Sequence, residues 1–121
     1  MRKLLSILCS VLLIVLLSIP VCAANAEKSN DIVILYTNDT HAYIDGPLSF
    51  DTIGALKKNL EKQYRYVLLV DAGDHLQGTA FGSMDQGASV LQLMNKAGYD
   101  LATPVNHEYD YCMDIFLERA R

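Results

Sequence analysis

Three short clusters of polar residues contain the side chains best suited to chemistry. They occupy positions 38–41, 71–74 and 106–110. Asp, His and Asn supply the oxygen and nitrogen atoms that bind divalent metal ions. Each cluster alone is more typical of an ordinary hydrogen-bonded loop, but the three together indicate a metal site. We predict that Asp39 and His41 hold one ion. Asp74 would bridge this ion and a second one, which Asn106 also holds.

Each polar cluster follows a stretch with the pattern of a β-strand. Residues 31–36 and 66–70 are short, almost continuous apolar runs, which are typical of strands buried on both faces of a parallel sheet. Residues 100–105 form a third, weaker candidate that Pro104 interrupts. Ligands of open α/β sheets bind at the carboxyl ends of the strands. The three clusters are therefore expected to meet at one edge of the sheet.

Helical spacing of apolar residues separates these strands. After Asp51 the predicted buried face consists of Ile53, Leu56, Leu60 and Tyr64, with Lys57, Lys58 and Lys62 off it. A second helix is expected to begin near Gly87, to bury Val90, Leu91, Met94 and Ala97, and to end at Gly98. A third amphipathic helix contains Met113, Phe116, Leu117 and Ala120. The alternation of strand and helix predicts a layered α/β fold with mainly parallel strands.

Residues 1–26 have the pattern of a secretory signal peptide. Arg2 and Lys3 precede an uncharged apolar run over residues 4–19, and Ala23 or Ala26 is a suitable last residue before cleavage. We therefore expect export to a periplasm, a cell wall or the medium. The alternative is an uncleaved segment that anchors an interaction module in a membrane, which is the one route to a membrane in this chain.

The charge of residues 27–121 restricts the class of partner. They contain eight basic and fourteen acidic residues, a net charge of −6. Such a surface argues against a nucleic-acid polymer, because its binders neutralise phosphates with clustered Lys and Arg. A small phosphate substrate stays open if bound metal ions supply positive charge. Cys112 is the single cysteine in this range, so no internal disulfide is expected, and a buried, inert thiol is predicted.

The three clusters resemble the first three motifs of the calcineurin-like metallophosphoesterases. The matching residues are Asp39-Thr-His41, Gly73-Asp74, and Asn106-His-Glu with Asp110. Longer matches resemble the secreted 5′-nucleotidase branch, which includes 2′,3′-cyclic-nucleotide phosphodiesterases: Tyr36-Thr-Asn-Asp-Thr-His41, Asp71-Ala-Gly-Asp74 with Gln77-Gly78, and Asn106-His-Glu-Tyr-Asp110. The resemblance implies that the chain forms part of a metallophosphoesterase-type layered α/β sandwich. It also implies that the enzyme hydrolyses nucleotides or other small phosphate esters.

The resemblance also implies a role for each matching position. Two divalent ions, zinc, manganese or similar, would be held by the four predicted ligands named above, with Asp74 between them. His107 would face the substrate phosphate, and Asp110 would orient its ring. The neighbouring Glu108 is expected to be a local structural partner, and His75 a loop or rim residue. Gly73 and Gly78 have the spacing of a phosphate-binding loop, which we reject because its lysine is missing.

Three departures from the family pattern limit what this chain is expected to do. Val105 and Cys112 stand where the family usually has glycine. The later histidines of the family, including a Gly-His-x-His motif, have no counterpart in residues 27–121, which correspond to the amino-terminal portion of the domain. We expect one weakly held ion, little or no hydrolysis, and a chain that is oligomeric or partly unfolded by itself. A non-catalytic, secreted metal-binding remnant is the alternative.

Overall fold

A computed structural model describes residues 27–121, and the predicted signal peptide lies outside these residues. Strands and helices alternate along them as expected. The elements are β1 (Ser29–Thr37), α1 (Phe50–Leu60), β2 (Tyr64–Asp71), α2 (Ala80–Met84), α3 (Ala88–Ala97), β3 (Leu101–Ala102), a 3-10 turn (Asn106–Tyr109) and α4 (Met113–Arg119). Within residues 27–121, no helix has the length and apolar character needed to span a membrane.

The three strands form one parallel sheet in the order β1-β2-β3. The register between β1 and β2 runs from Ile32 opposite Tyr66 to Thr37 opposite Asp71. The predicted α/β class with parallel strands is therefore confirmed. The third strand is shorter than expected, with two residues in place of six. Pro104 lacks a backbone N–H, so it cannot extend the ladder toward the third polar cluster.

The predicted ends of α3 are confirmed by glycines in the left-handed conformation. Gly87 precedes the helix with φ 83°, and Gly98 ends it with φ 86°. The helix packs against α1, where Gly54 permits a close approach. A Cβ atom added to Gly54 would lie 3.0 Å from Cα of Ala97. The buried core on this side of the sheet consists of Ala42, Phe50, Leu76, Val90, Met94 and Ala97.

The prediction that β1 and β2 are buried on both faces is wrong for the described residues. One face is apolar and uncovered, with relative exposures of 68% at Ile32, 59% at Ile34, 75% at Tyr36, 53% at Tyr66 and 43% at Leu68. These side chains share a face because the parallel register aligns their strands. The helices cover the opposite face, where Leu69 is fully buried. An apolar face of this extent is the physical ground for the expected self-association.

The buried face of α1 also differs from the predicted one. Leu56 is exposed, whereas Lys57 is 7% exposed. The ammonium group of Lys57 donates hydrogen bonds to Gly98 O at 2.6 Å and to Asp100 Oδ2 at 2.7 Å. A charged side chain is tolerated at this buried position because both partners are supplied by the segment that follows α3. Hydrophobic periodicity alone does not reveal such partners.

The Lys57–Asp100 ion pair predicts a loss of stability in acid. Hydrogen bonds from Lys57 and from the N–H of Leu69 lower the pKa of Asp100 below its ordinary value of 3.8. A carboxylate whose pKa is lowered by folding stabilises the folded state at pH values above its ordinary pKa. This stabilisation disappears as the pH falls through the lower pKa of the folded state. Asp100→Asn is expected to reduce the free energy of unfolding at pH 7 by at most about 1 kcal/mol, because solvent screens this partly exposed carboxylate.

Urea unfolding of both proteins at pH 7 and pH 3 measures this effect. The difference between wild type and Asp100→Asn should shrink at the lower pH. Asp45→Asn is the matched control, since the exposed Asp45 lies in a loop outside this pair. An equal difference at both pH values would contradict the prediction.

Candidate metal centre

The loops that follow β1 and β2 stay paired beyond the end of the sheet. Asp39 N–H donates to Gly73 O at 3.1 Å, His41 N–H to Asp74 O at 2.8 Å, and Ala42 N–H to His75 O at 3.0 Å. These backbone bonds bring the first two polar clusters side by side. The predicted convergence at the carboxyl ends of these strands is therefore confirmed for both loops.

Three of the four predicted metal ligands lie together. One ligand atom from each of Asp39, His41 and Asp74 lies within 4.8 Å of the others. Nδ1 of His41 donates to Gln77 O at 3.1 Å, which leaves Nε2 with its lone pair free. This ring orientation by a carbonyl is typical of metal-binding histidines. One imidazole and two carboxylates are a donor set that fits zinc or manganese.

The backbone at these ligands has an uncommon conformation. Asp39, His41 and Asp74 have φ values of 54°, 47° and 56°, in the left-handed region. Residues other than glycine rarely adopt this region, and those that do cluster at functional sites. Gly78 allows the loop to pass against His41, because an added Cβ would lie 2.5 Å from Cβ of His41. Close backbone approach therefore positions the imidazole.

The third cluster joins the other two through the 3-10 turn. His107 N–H donates to Asp74 Oδ1 at 3.0 Å, and the ring centroid of His107 lies 5.1 Å from that of His41. Nδ1 of His107 donates to Asp110 Oδ2 at 2.7 Å, and this hydrogen bond raises the pKa of His107. Asn106, the fourth predicted ligand, begins the turn with an exposed side chain.

A buried carboxylate holds the second and third loops together. Glu108 is 1% exposed. Its Oε2 accepts the N–H groups of Val105 at 2.9 Å and Asp74 at 3.0 Å. Its Oε1 accepts those of His75 at 2.7 Å and Leu76 at 3.2 Å. Burial raises the pKa of Glu108, but the hydrogen bonds from the N–H groups of Val105, Asp74 and His75 outweigh burial and lower it overall. The prediction that Glu108 is a structural partner is confirmed.

His75 was predicted to be a loop or rim residue, and it lies in a loop but is buried rather than at the rim. His75 is 4% exposed, and its Nδ1 donates to Asp71 Oδ1 at 2.8 Å. Burial raises the pKa of Asp71, but hydrogen bonds from His75, Thr37 and Gly73 outweigh burial and lower it overall. Sequence reasoning missed this buried pair, which lies in the segment that carries the candidate ligand Asp74. In the sequence, this pair is indicated only by the separation of four residues between Asp71 and His75, across a turn that contains Gly73.

The two residues that stand in place of family glycines behave differently. Val105 has an extended backbone with φ −128°, which any residue adopts. Gly73 provides the space for it, since an added Cβ would lie 2.5 Å from Cγ2 of Val105. Cys112 is exposed, so the prediction of a buried thiol is wrong. Its φ of 78° and ψ of 163° fall in a region adopted almost exclusively by glycine.

Replacement of Cys112 by glycine is expected to stabilise the fold. Relief of the backbone strain is worth about 1–3 kcal/mol. Part of this gain is offset by about 0.5–1 kcal/mol of added chain entropy in the unfolded state. The net increase in the free energy of unfolding should be measurable by urea titration. Cys112→Ser keeps the strain and is the matched control; equal stability of the two variants would contradict the prediction.

No family model matches the sequence. A snake venom 5′-nucleotidase from Gloydius brevicauda is 36% identical over 104 residues, which cover 74% of this chain and 18% of that protein. The structure of an NAD nucleotidase from Haemophilus influenzae is similar, with a TM-score of 0.64 and 25% identity; the match covers 77% of this chain and 19% of the nucleotidase chain. The structure of a calcineurin-like phosphoesterase from Bacillus subtilis is also similar, with a TM-score of 0.60 and 26% identity; the match covers 73% of this chain and 33% of the phosphoesterase chain.

The chain thus spans about a fifth of the length of the snake venom relative. Within this span, the sequence similarity and the structural similarity both extend over more than two thirds of the chain. The chain is therefore a homologue of the 5′-nucleotidases and shares the fold of the calcineurin-like phosphoesterases.

Proposed function

We propose that this chain is the metal-binding, amino-terminal part of a secreted phosphoesterase that hydrolyses the phosphate monoester of nucleotides. The observation that carries the proposal is the cluster of Asp39, His41 and Asp74, whose ligand atoms lie within 4.8 Å of one another. His107 stands directly beside it, with its ring 5.1 Å from that of His41. Homology to 5′-nucleotidases supports a nucleotide as substrate.

Each site residue has a proposed role. Asp39, His41 and Asp74 would hold one divalent ion, and Asp74 and Asn106 would hold a second. When bound, such ions polarise a phosphoryl oxygen and lower the pKa of a water molecule for in-line attack. His107 uses Nδ1 for its hydrogen bond to Asp110, so Nε2 is the ring nitrogen that meets the substrate phosphate.

The raised pKa of His107 supports a role as proton donor. The carboxylate of Asp110 favours the protonated imidazole and fixes the orientation of the ring. A protonated His107 stabilises negative charge on a phosphoryl oxygen, or donates its proton at Nε2 to the leaving oxygen. Two metal ions and this histidine would supply the positive charge that the acidic surface lacks. A nucleic-acid polymer remains an unsuitable partner for that surface.

The proposed location rests on residues 1–26. Their basic start, apolar run and small-residue exit are typical of a signal peptide, so we propose an extracytoplasmic protein. Mass spectrometry of the exported protein would test this directly. A mature amino terminus after Ala23 or Ala26 supports cleavage, whereas an intact Met1 supports the membrane-anchored alternative.

Calorimetric titration of the chain with zinc and with manganese tests the metal site. We expect one weak site, because within residues 27–121 the second ion has only Asp74 and Asn106 of the expected ligands. Two tight sites would contradict this expectation. Phosphate release from a nucleoside monophosphate and from a 2′,3′-cyclic nucleotide, measured on the full-length form, then separates the two enzymatic alternatives. Metal binding by the full-length form without release from either substrate supports the non-catalytic remnant.

A further inference from the structure

We propose that Glu108 is a positioning residue that locks Asp74 and the loop bearing Asn106 and His107 into one rigid unit. This inference rests on the proposed function, because it assigns the unit to the binding of metal ions. It goes beyond that function by naming a residue that touches neither ion nor substrate.

The first observation is the distribution of the hydrogen bonds that Glu108 accepts. Oε2 joins two loops, since it accepts from Asp74 in the second loop and from Val105 in the third. Oε1 accepts from His75 and Leu76, the next two residues of the second loop. Hydrogen bonds to an ionised carboxylate are stronger than those between neutral groups. One buried side chain therefore fixes the positions of both loops.

The second observation is that the two loops have few other connections at the site. β3 ends at Ala102, so no regular ladder holds the third loop beyond Thr103, whose N–H donates to Asp71 O. A further link is the bond from His107 N–H to Asp74 Oδ1. Asp74 itself makes three hydrogen bonds: its N–H donates to Glu108, its carbonyl oxygen accepts from His41 N–H, and its Oδ1 accepts from His107 N–H. Release of Glu108 would leave the N–H of Asp74 without its partner and would remove the link from Val105 to the second loop.

The third observation is the unfavourable backbone of Asp74. Its φ of 56° lies in the left-handed region, which an aspartate leaves readily unless its surroundings hold it. The bond from Asp74 N–H to Glu108 Oε2 holds the peptide group on one side of this residue. Glu108 thus sets the direction in which the Asp74 carboxylate points, and with it the geometry of the metal site.

Glu108→Gln in the full chain is the decisive variant. It keeps the size of the side chain but places an NH₂ group against at least two N–H donors. Removal of an outer-shell partner typically weakens metal affinity about 10–100-fold, and we expect a loss of this size for Zn²⁺ and Co²⁺ by calorimetry. The visible absorption of bound Co²⁺ should also shift, which a purely structural role of Glu108 would not cause. Glu118→Gln, on the exposed surface of α4, is the matched control and should bind like wild type.

Amide hydrogen exchange of the unmodified chain provides a test that does not depend on the folding of a variant. The N–H groups of Asp74, His75, Leu76 and Val105 should be protected although they lie outside helices and strands. Rapid exchange at these four amides would overturn the proposal. Unchanged Co²⁺ affinity and absorption in Glu108→Gln would overturn it as well. If wild type binds no metal, the proposed function fails, and the exchange rates alone decide whether Glu108 holds the loops together.

Discussion

Asp74→Asn is expected to abolish measurable metal binding while the fold persists. Asp74 supplies a carboxylate to the cluster with Asp39 and His41, and its Oδ1 accepts the N–H of His107. Asparagine keeps an oxygen for that hydrogen bond and tolerates the left-handed backbone. The substitution therefore removes little except the negative charge at the ions. The loss of affinity should exceed about 100-fold, the upper end for a residue that only supports a ligand.

Calorimetry with Zn²⁺ and thermal unfolding without metal separate the two contributions. We expect an unchanged unfolding temperature in the absence of metal and no stabilisation when Zn²⁺ is added, because a protein that binds no ligand gains no stability from it. Asp51→Asn, in the first turn of α1, is the matched control for the lost charge and should bind Zn²⁺ like wild type. Wild-type affinity in Asp74→Asn would remove this residue from the site.

Gly78→Ala is expected to damage both stability and metal binding. The added Cβ would lie 2.5 Å from Cβ of His41 and 2.7 Å from its carbonyl oxygen. Backbone atoms cannot move aside cheaply, so the loop that carries His41 must shift. The overpacking costs about 1–3 kcal/mol. The φ of 144° at Gly78 adds strain of order 1–3 kcal/mol for a residue with a side chain.

Gly46→Ala isolates the backbone contribution. Gly46 also has a positive φ, 103°, but an added Cβ there meets no atom within 4 Å. Urea unfolding should show a smaller loss of stability in Gly46→Ala than in Gly78→Ala. Zn²⁺ affinity should fall only in Gly78→Ala, since His41 is displaced only there. Equal effects of the two variants on both measurements would contradict the close approach at His41.

The sequence patterns predicted helices and strands well where residues at the ends of the element, such as glycines, mark where it begins and ends. Glycines at both ends of α3, together with its apolar spacing, marked its bounds correctly. The parallel order of the strands followed from their alternation with helices. The buried lysine of α1 was missed, because Lys57 depends on Gly98 and Asp100, which lie about forty residues later in the chain. Periodicity describes one helix and contains no information on such distant partners.

The candidate site residues were predicted from the type and the order of their side chains. Asp39, His41 and Asp74 lie together as the motifs implied, and His107 stands beside them. The support beneath them was not predictable in the same way. His75 is buried because its ring meets Asp71, and a histidine next to a polar turn looks the same in sequence whether it is buried or exposed. The exposed face of β1 was missed because an apolar run does not state how many of its faces are covered.

The loop from Gly73 to Gly78 lacks the lysine of a phosphate-binding loop, yet its backbone does bind an anion. Consecutive N–H groups at residues 74, 75 and 76 converge on the carboxylate of Glu108. This arrangement is an anion-binding backbone nest, and the anion that occupies it is a carboxylate of the same chain. A phosphate therefore cannot accept hydrogen bonds from these N–H groups unless it displaces the buried side chain of Glu108. We therefore expect a substrate phosphate to bind outside this loop, beside His107, whose N–H donates to Asp74 Oδ1.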